Sequence, residues 1–345
     1  MIALRLLRST IACVVFAFAA SAVAQEIRTP PEHRRGTEQT FLTFPEWFLV
    51  HSPAEYAMFV KQHDPDDFPF WGHIGQFWQS YKAVHRATKD DYPFNFGYHV
   101  MIMVIGTSTT VEYALRSAYE TVIGRLTALT RGSEMTAEDR FGAKVAQDYV
   151  DFIRVRPWYE FDFFGRLCQL WSETSPGGSG VLRKWERKYA LTTEYGIKGV
   201  YGWLIRKATQ ASYDAPVPVT AALVDRLPDG AEKNLPELKV LQRYPDGSTL
   251  ASLPRYEAFT TYSASLSKQG ASFQEIAGNR SVILVSLIVP THWQAGAEDK
   301  VLFEQPIITR PTHKRIVLVV PVASLAGMLN RVSAQGFELE HVYDY

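Results

Sequence analysis

The sequence predicts an α+β protein, an N-terminal aromatic-rich helical domain followed by a ferredoxin-like domain of duplicated split βαβ units. Three observations carry this. Seven of the eight Trp and six of the nine His precede residue 210. Beyond it come β-branched runs and, twice over, the order strand, Pro, helix, Gln-Gly, strand. Between the two lies Tyr213-Asp-Ala-Pro-Val-Pro218, whose paired prolines oppose helix continuation.

Composition narrows the function classes. The 345 residues are 46% apolar and 21% charged, enough to bury a full core. Lys and Arg number 36 against 36 Asp and Glu, without the basic excess of a nucleic-acid binder. Two cysteines cannot build a disulfide scaffold or a four-cysteine zinc site.

Residues 1–24 read as a signal peptide. Arg5 and Arg8 precede an uncharged, apolar Ile11–Ala24, and Ala22-Val23-Ala24 is a small-x-small cleavage site. The apolar stretch is short for a membrane span. Without it the chain carries 34 basic and 36 acidic residues, and Cys168 is its one thiol. The apolar neighbours Leu167, Leu170 and Trp171 predict that this thiol is buried. Residues 25–40 read as a linker.

Residues 41–212 read as the helical domain. Ser52-Pro53-Ala54-Glu55 has the form of a capping box starting a helix toward Gln62. Gly97 to Leu129 is a longer helix. It carries Val111, Leu115, Val122 and Leu126 on one side and a Glu112, Arg116, Glu120 ladder on another, expected to face solvent. Thr136-Ala-Glu-Asp139 starts a helix that Pro157 closes. Phe161, Phe164, Cys168 and Trp171 mark the next, and Trp185 to Ala208 the last. Phe94 to Val111 holds 18 residues without Asp, Glu, Lys or Arg, near spanning length. A buried central helix is the favoured reading and a second span the alternative.

Residues 213–345 read as the α+β domain. Leu238–Leu241 with Pro245-Asp-Gly247 forms a hairpin. Strands at 250–253 and 272–276 flank a helix at 256–268. Strands at 315–320 and 337–343 flank a helix at 323–334, and 281–289 and 301–308 are strands between the units.

Chemistry-bearing motifs are sparse. No GxSxG, HExxH, Walker A or EF-hand pattern occurs. On a helix from Gly97, His99 shares a small, polar stripe with Gly106, Thr110 and Ser117, either a ligand groove or a tight helix seam. Glu46 and His51 flank Trp47-Phe-Leu-Val50, an aromatic setting for an acid/base pair, with His51 expected at the surface. Trp158-Tyr-Glu160-Phe-Asp162 is a candidate aromatic pocket with two carboxylates. His63 with Asp64, Asp66 and Asp67 reads as a solvated acidic loop, and Arg183, Lys184, Arg187 and Lys188 as a charged helix face. The candidate ligand-binding residues are therefore Glu46, His99, Thr110, Glu112, Trp158 and Glu160. No metal site, cofactor or catalytic residue is assigned.

Thr43-Phe-Pro-Glu-Trp47, Gly97-Tyr-His-Val-Met101, Pro157-Trp-Tyr-Glu-Phe161, Lys184-Trp-Glu-Arg187, Glu194-Tyr-Gly-Ile-Lys198, Tyr201-Gly-Trp-Leu-Ile205 and Leu339-Glu-His-Val-Tyr-Asp-Tyr345 together resemble a group of uncharacterised bacterial proteins, exported or membrane-associated. The resemblance implies a bacterial periplasm or envelope membrane and carries over no site. The expected function is an envelope protein that binds a protein partner or small ligand, with possible membrane association and no nucleic acid. The alternatives are an enzyme or cofactor protein built on a His/Glu site, and a structural subunit of a membrane complex.

Overall fold

The computed structural model describes residues 26–344 except 133, 176 and 213–217, with the backbone alone over 208–212. The predicted signal peptide and most of the two-proline boundary lie outside the described residues.

The first helix, α1 (Gln39–Phe59), runs through Pro45 and Pro53. Ser52 is therefore not a cap but an interior, buried helical residue. The local capping signal yields because both flanks of Ser52 are packed against other elements, and its hydroxyl meets His73 and Tyr113 instead. Then follow α2 (Phe70–Thr88) and α3 (Phe96–Tyr119), the latter capped by Asn95 accepting from the Tyr98 N–H. A π-turn over Glu120–Gly124 leads on into α4 (Arg125–Ala128). Helix α5 (Ala137–Ile153) starts on a reciprocal Thr136/Asp139 capping box, as predicted. Asp162 caps α6 (Phe163–Glu173), and α7 (Val181–Ser212) completes the helical half.

The remaining chain forms two four-stranded antiparallel sheets. The first holds β1 (Val219–Val224), β2 (Lys239–Arg243), β3 (Thr249–Pro254) and β4 (Phe273–Ile276), in the order β2-β3-β1-β4. The second holds β5 (Val282–Pro290), β6 (Val301–Pro306), β7 (His313–Pro321) and β8 (Glu338–Val342), in the order β6-β7-β5-β8. A one-turn helix, α8 (Ala231–Asn234), separates β1 from β2. Helix α9 (Glu257–Lys268) crosses from β3 to β4, and α10 (Leu325–Gln335) from β7 to β8. Gly270 and Gly336 take the left-handed conformation after their helices, the C-cap role that Gln-Gly predicts. The two βαβ units do not share one sheet. Each splits around its own antiparallel strand, β1 or β5, and β1 lies outside the strands that the sequence predicts.

Strand alternation then joins the halves. Ile283, Val285, Leu287 and Val289 of β5 enter a core shared with Phe259, Leu266, Leu253 and Leu329. Leu284 points to the other face, where it meets Phe41, Phe44, Phe48, Phe77 and Tyr343 beneath α1 and α2. Residues 26–38 lie against the first sheet: Thr29 is fully buried with its hydroxyl donating to the Glu275 carboxylate at 2.7 Å, and the Arg35 N–H bonds Ala277 O at 3.0 Å.

A buried guanidinium locks α1 to the second sheet. Arg315 of β7 reaches Glu55 of α1 at 3.0 Å and Glu340 of β8 at 2.6 Å. Removing one partner of such a set leaves uncompensated buried charge. Arg315→Ala is expected to lower stability by about 3–5 kcal/mol, read from the denaturant midpoint, whereas a loss below about 1 kcal/mol would show the triad to be solvated.

Candidate functional site

Helix α3 is turned against its expected orientation. The predicted solvated ladder faces inward. Arg116 lies over the Tyr56 ring and meets Glu194 of α7 at 3.5 Å, Lys198 bonds Glu112 at 3.0 Å, and Glu120 takes a bidentate pair from Arg187 at 2.9 and 3.0 Å. The predicted apolar face, Val111, Leu115, Val122 and Leu126, is exposed. This also corrects the reading of Phe94–Val111 as a buried central helix: Phe94, Phe96, Val100, Met101, Met103 and Val104 are exposed. Among the described residues, no helix is long and apolar enough to cross a membrane.

The basic run on α7 is likewise internal. Arg183, Arg187 and Lys188 are buried rather than on a charged outer face. Arg183 meets Asp139 at 3.0 Å, Glu186 at 3.1 Å and Asp64 at 3.4 Å. Lys188 donates to Thr174 Oγ1 at 2.6 Å. Asp64 and Asp66, expected as free acids of a solvated loop, pair with Arg131 and Arg125. Cys168 is exposed, not buried, because Phe163 and Leu170 supply the inward face of α6.

A cavity of about 500 Å³ lies among α1, α3, α5 and α7. Its walls are mainly aromatic and aliphatic: Trp47, Val50, Tyr149, Trp158, Phe163, Leu191 and Tyr201. Tyr256 also lines it, with φ of 61°, a strained backbone for a bulky residue of the kind that clusters at functional sites. The ion pairs of α3 and α7 form one polar wall. Burial pushes the Glu194 carboxyl up, but Arg116 and Lys198 outweigh it and hold it at about 2. That wall is satisfied internally.

Two further carboxyls line the cavity. Burial pushes Glu46 up to about 7, against a weaker pull from Arg255. Glu138 is fully buried, and neither of its carboxylate oxygens has a hydrogen-bond partner among the described residues; the Lys188 ammonium stands 4.0 Å away.

Of the predicted site residues, Glu46, Glu112 and Trp158 line this cavity. His99 and Thr110 lie elsewhere, in the seam between α2 and α3. Thr110 accepts from Trp78 Nε1 at 3.0 Å, His99 Nδ1 meets Tyr81 Oη at 2.8 Å, and a Cβ at Gly106 would strike the Phe77 ring. Glu160 is exposed in a 3-10 turn. His99, Glu112 and Glu160 thus do not converge. Glu138 escaped sequence reasoning because it reads as an ordinary first-turn acid of α5.

A second cluster lies beside the Arg315 lock. Ser52 Oγ is 2.9 Å from His73 Nδ1, and His73 Nε2 is 3.5 Å from Glu55. The order matches a nucleophile, base and orienter. Yet Ser52 and His73 are 1% and 0% exposed, sit outside the cavity wall, and the hydroxyl is shared with Tyr113 at 2.7 Å. The arrangement is a packed polar joint. His51, expected at the surface, is buried in the same joint, 3.3 Å from Glu340. Among the described residues no group of His, Cys, Asp and Glu is arranged to hold a metal ion.

No family model, curated protein or solved structure matches the chain.

Burial holds both His51 and His73 down at about 3, with Glu340 partly opposing at His51 and Arg315 adding to the effect at each. Both rings stay neutral in the folded protein while the unfolded chain protonates below its ordinary value of 6.5. The stability from this is fully present above that value and is lost as pH falls toward 3. Each ring is expected to contribute about 1.4 kcal/mol per pH unit in that window. In denaturant titrations His73→Gln should show a shallower acid slope than the parent by about that amount. An identical slope would place the proton uptake elsewhere.

Proposed function

We propose that the protein is a bacterial envelope protein whose helical half binds an amphiphile: one acyl or similar apolar chain bearing a hydrogen-bond-donating head, an amine or polyol. The observation that carries the reading is the cavity with the buried Glu138 carboxylate, which no hydrogen bond meets among the described residues, and Glu46, pushed up to about 7 by burial. Its volume falls within the range of about 300–1,000 Å³ typical of small-molecule sites, and its walls are of the matching apolar kind. Of its cations, Arg116, Arg187 and Lys198 are already paired to carboxylates, and Arg156 is exposed over the Phe152 ring, so an anionic head finds no open partner at the buried end. A donor-bearing head would relieve Glu138, whose burial without a hydrogen bond is costly. The envelope location rests on Arg5, Arg8, the apolar Ile11–Ala24 and the small-x-small site that follows. The strand order in each sheet supports a ferredoxin-like, split βαβ ancestry in which the first helix has shrunk to α8 or been replaced by the β5–β6 loop. In this reading the sheet half is the platform that holds α1 and Tyr256 against the ligand.

The test is displacement of a fluorescent acyl probe. Dodecylamine is expected to compete saturably at one site, at least about tenfold better than dodecanoate, a difference of about 1.4 kcal/mol. Ala146→Trp, which fills the cavity, should abolish probe uptake. No saturable uptake, or uptake indifferent to Ala146→Trp, would overturn the reading. Affinity for dodecylamine should also rise as pH rises past about 7, when Glu46 ionises and becomes a stronger acceptor for the ammonium head. In Glu46→Gln this step should vanish.

A further inference from the structure

Helix α7 lies between two neighbours. On one side Phe164 of α6 packs against Gly199, where a Cβ would come within 2.8 Å of its ring, and Trp171 donates to Thr192 at 3.0 Å. On the other side Glu194 and Lys198 meet Arg116 and Glu112 of α3. The outward positions left on α7 are Ile197, Val200 and Leu204, with Trp203 beside them, all exposed. On α3 they are Val104, Val111 and Leu115. A face this apolar is far outside what scattered surface residues produce.

Its charge pattern says what covers it. The acids of α3, its π-turn and α4 are Glu112 and Glu120, and those of α7 are Glu186 and Glu194. None is freely exposed, and each is paired to a cation of these helices. Arg125 is exposed but paired with Asp66 and Asp67. The exposed charges on the same helices that no carboxylate meets, among the described residues, are basic: Arg206 and Lys207. Aromatic residues with polar edges, Trp185, Tyr189, Tyr201 and Trp203, stand among the aliphatic ones. An inside-out pair of helices, with aromatics along it and the cations Arg206 and Lys207 at one end, has the chemistry of the lipid–water interface. The face also reaches the cavity: Val104 and Tyr201 are exposed and line it.

We infer that the exposed face of α3 and α7 docks on a lipid bilayer carrying anionic headgroups, the helices lying in the plane of the interface. The inference rests on this outer face and not on occupancy of the cavity.

The experiment is cosedimentation of the full chain with phosphatidylcholine vesicles, with and without phosphatidylglycerol. Tighter binding to the anionic vesicles is expected. Leu115→Glu combined with Ile197→Glu, at positions 66% and 65% exposed, should weaken it by at least about tenfold, with the circular dichroism spectrum unchanged. Arg206→Gln with Lys207→Gln should remove the anionic preference and leave weak binding to neutral vesicles. Ala146→Trp should bind vesicles as the parent does, so failure of the cavity reading and failure of this one are separable. Vesicle binding that survives the paired Glu substitutions, as the apolar Ile11–Ala24 segment would give, overturns the inference. So does a vesicle-free dimer that the same substitutions dissociate, which would assign the face to a second copy.

Discussion

The helical half depends on burying its charges between helices. Guanidinium charges are costly to enclose alone, so Arg183 and Arg187 each need carboxylates where they are buried. Asp139, Glu186 and Glu120 supply them, from α5, α7 and the π-turn after α3. This fixes the rotation of α3 and α7 about their own axes. Once Glu112, Arg116 and Glu120 face inward, Val111, Leu115 and Val122 have nowhere to go but outward. The usual ordering of a water-soluble helix is reversed, and the exposed apolar face follows from the ion pairs.

The same rotation shapes the cavity. With one wall of α3 and α7 made of paired charges, the remaining walls come from aromatic residues of α1, α5, the 3-10 turn at Trp158 and the strained Tyr256. Paired charges cannot collapse inward as aliphatic side chains would, because each is held by its partners at hydrogen-bond distance. Glu138, buried without a hydrogen bond, and Glu46, pushed up to about 7 by burial, line the same space. The Arg315 joint then holds α1, and so the Trp47 wall, against the second sheet.

Legibility in the sequence varied with the kind of signal. The Thr136 cap, both Gln-Gly helix ends, the hairpin at Pro245-Asp-Gly247 and the order of the βαβ units were readable, because each is decided within a few residues. Ser52-Pro53 was equally local and misled, since long-range packing outweighs the cap preference. Glu46, Glu112 and Trp158, which stand out through their aromatic or ladder context, line the cavity, as does Glu138, which carries no such signal. His99 drew notice through a stripe that proved to be the α2–α3 seam.

The amino-acid order alone determined the α+β class, the helical-then-strand division, the caps and the presence of a long apolar segment near residues 94–111. All of these follow from propensity, periodicity or turn chemistry. Only the tertiary structure decided which side of α3 and α7 faces inward, that the βαβ units build two sheets, and that Ser52, His51 and Arg183 are buried. Periodicity reveals that a helix has two faces. Which one meets solvent depends on the charges of helices far along the chain, and those partners are chosen only when the chain packs.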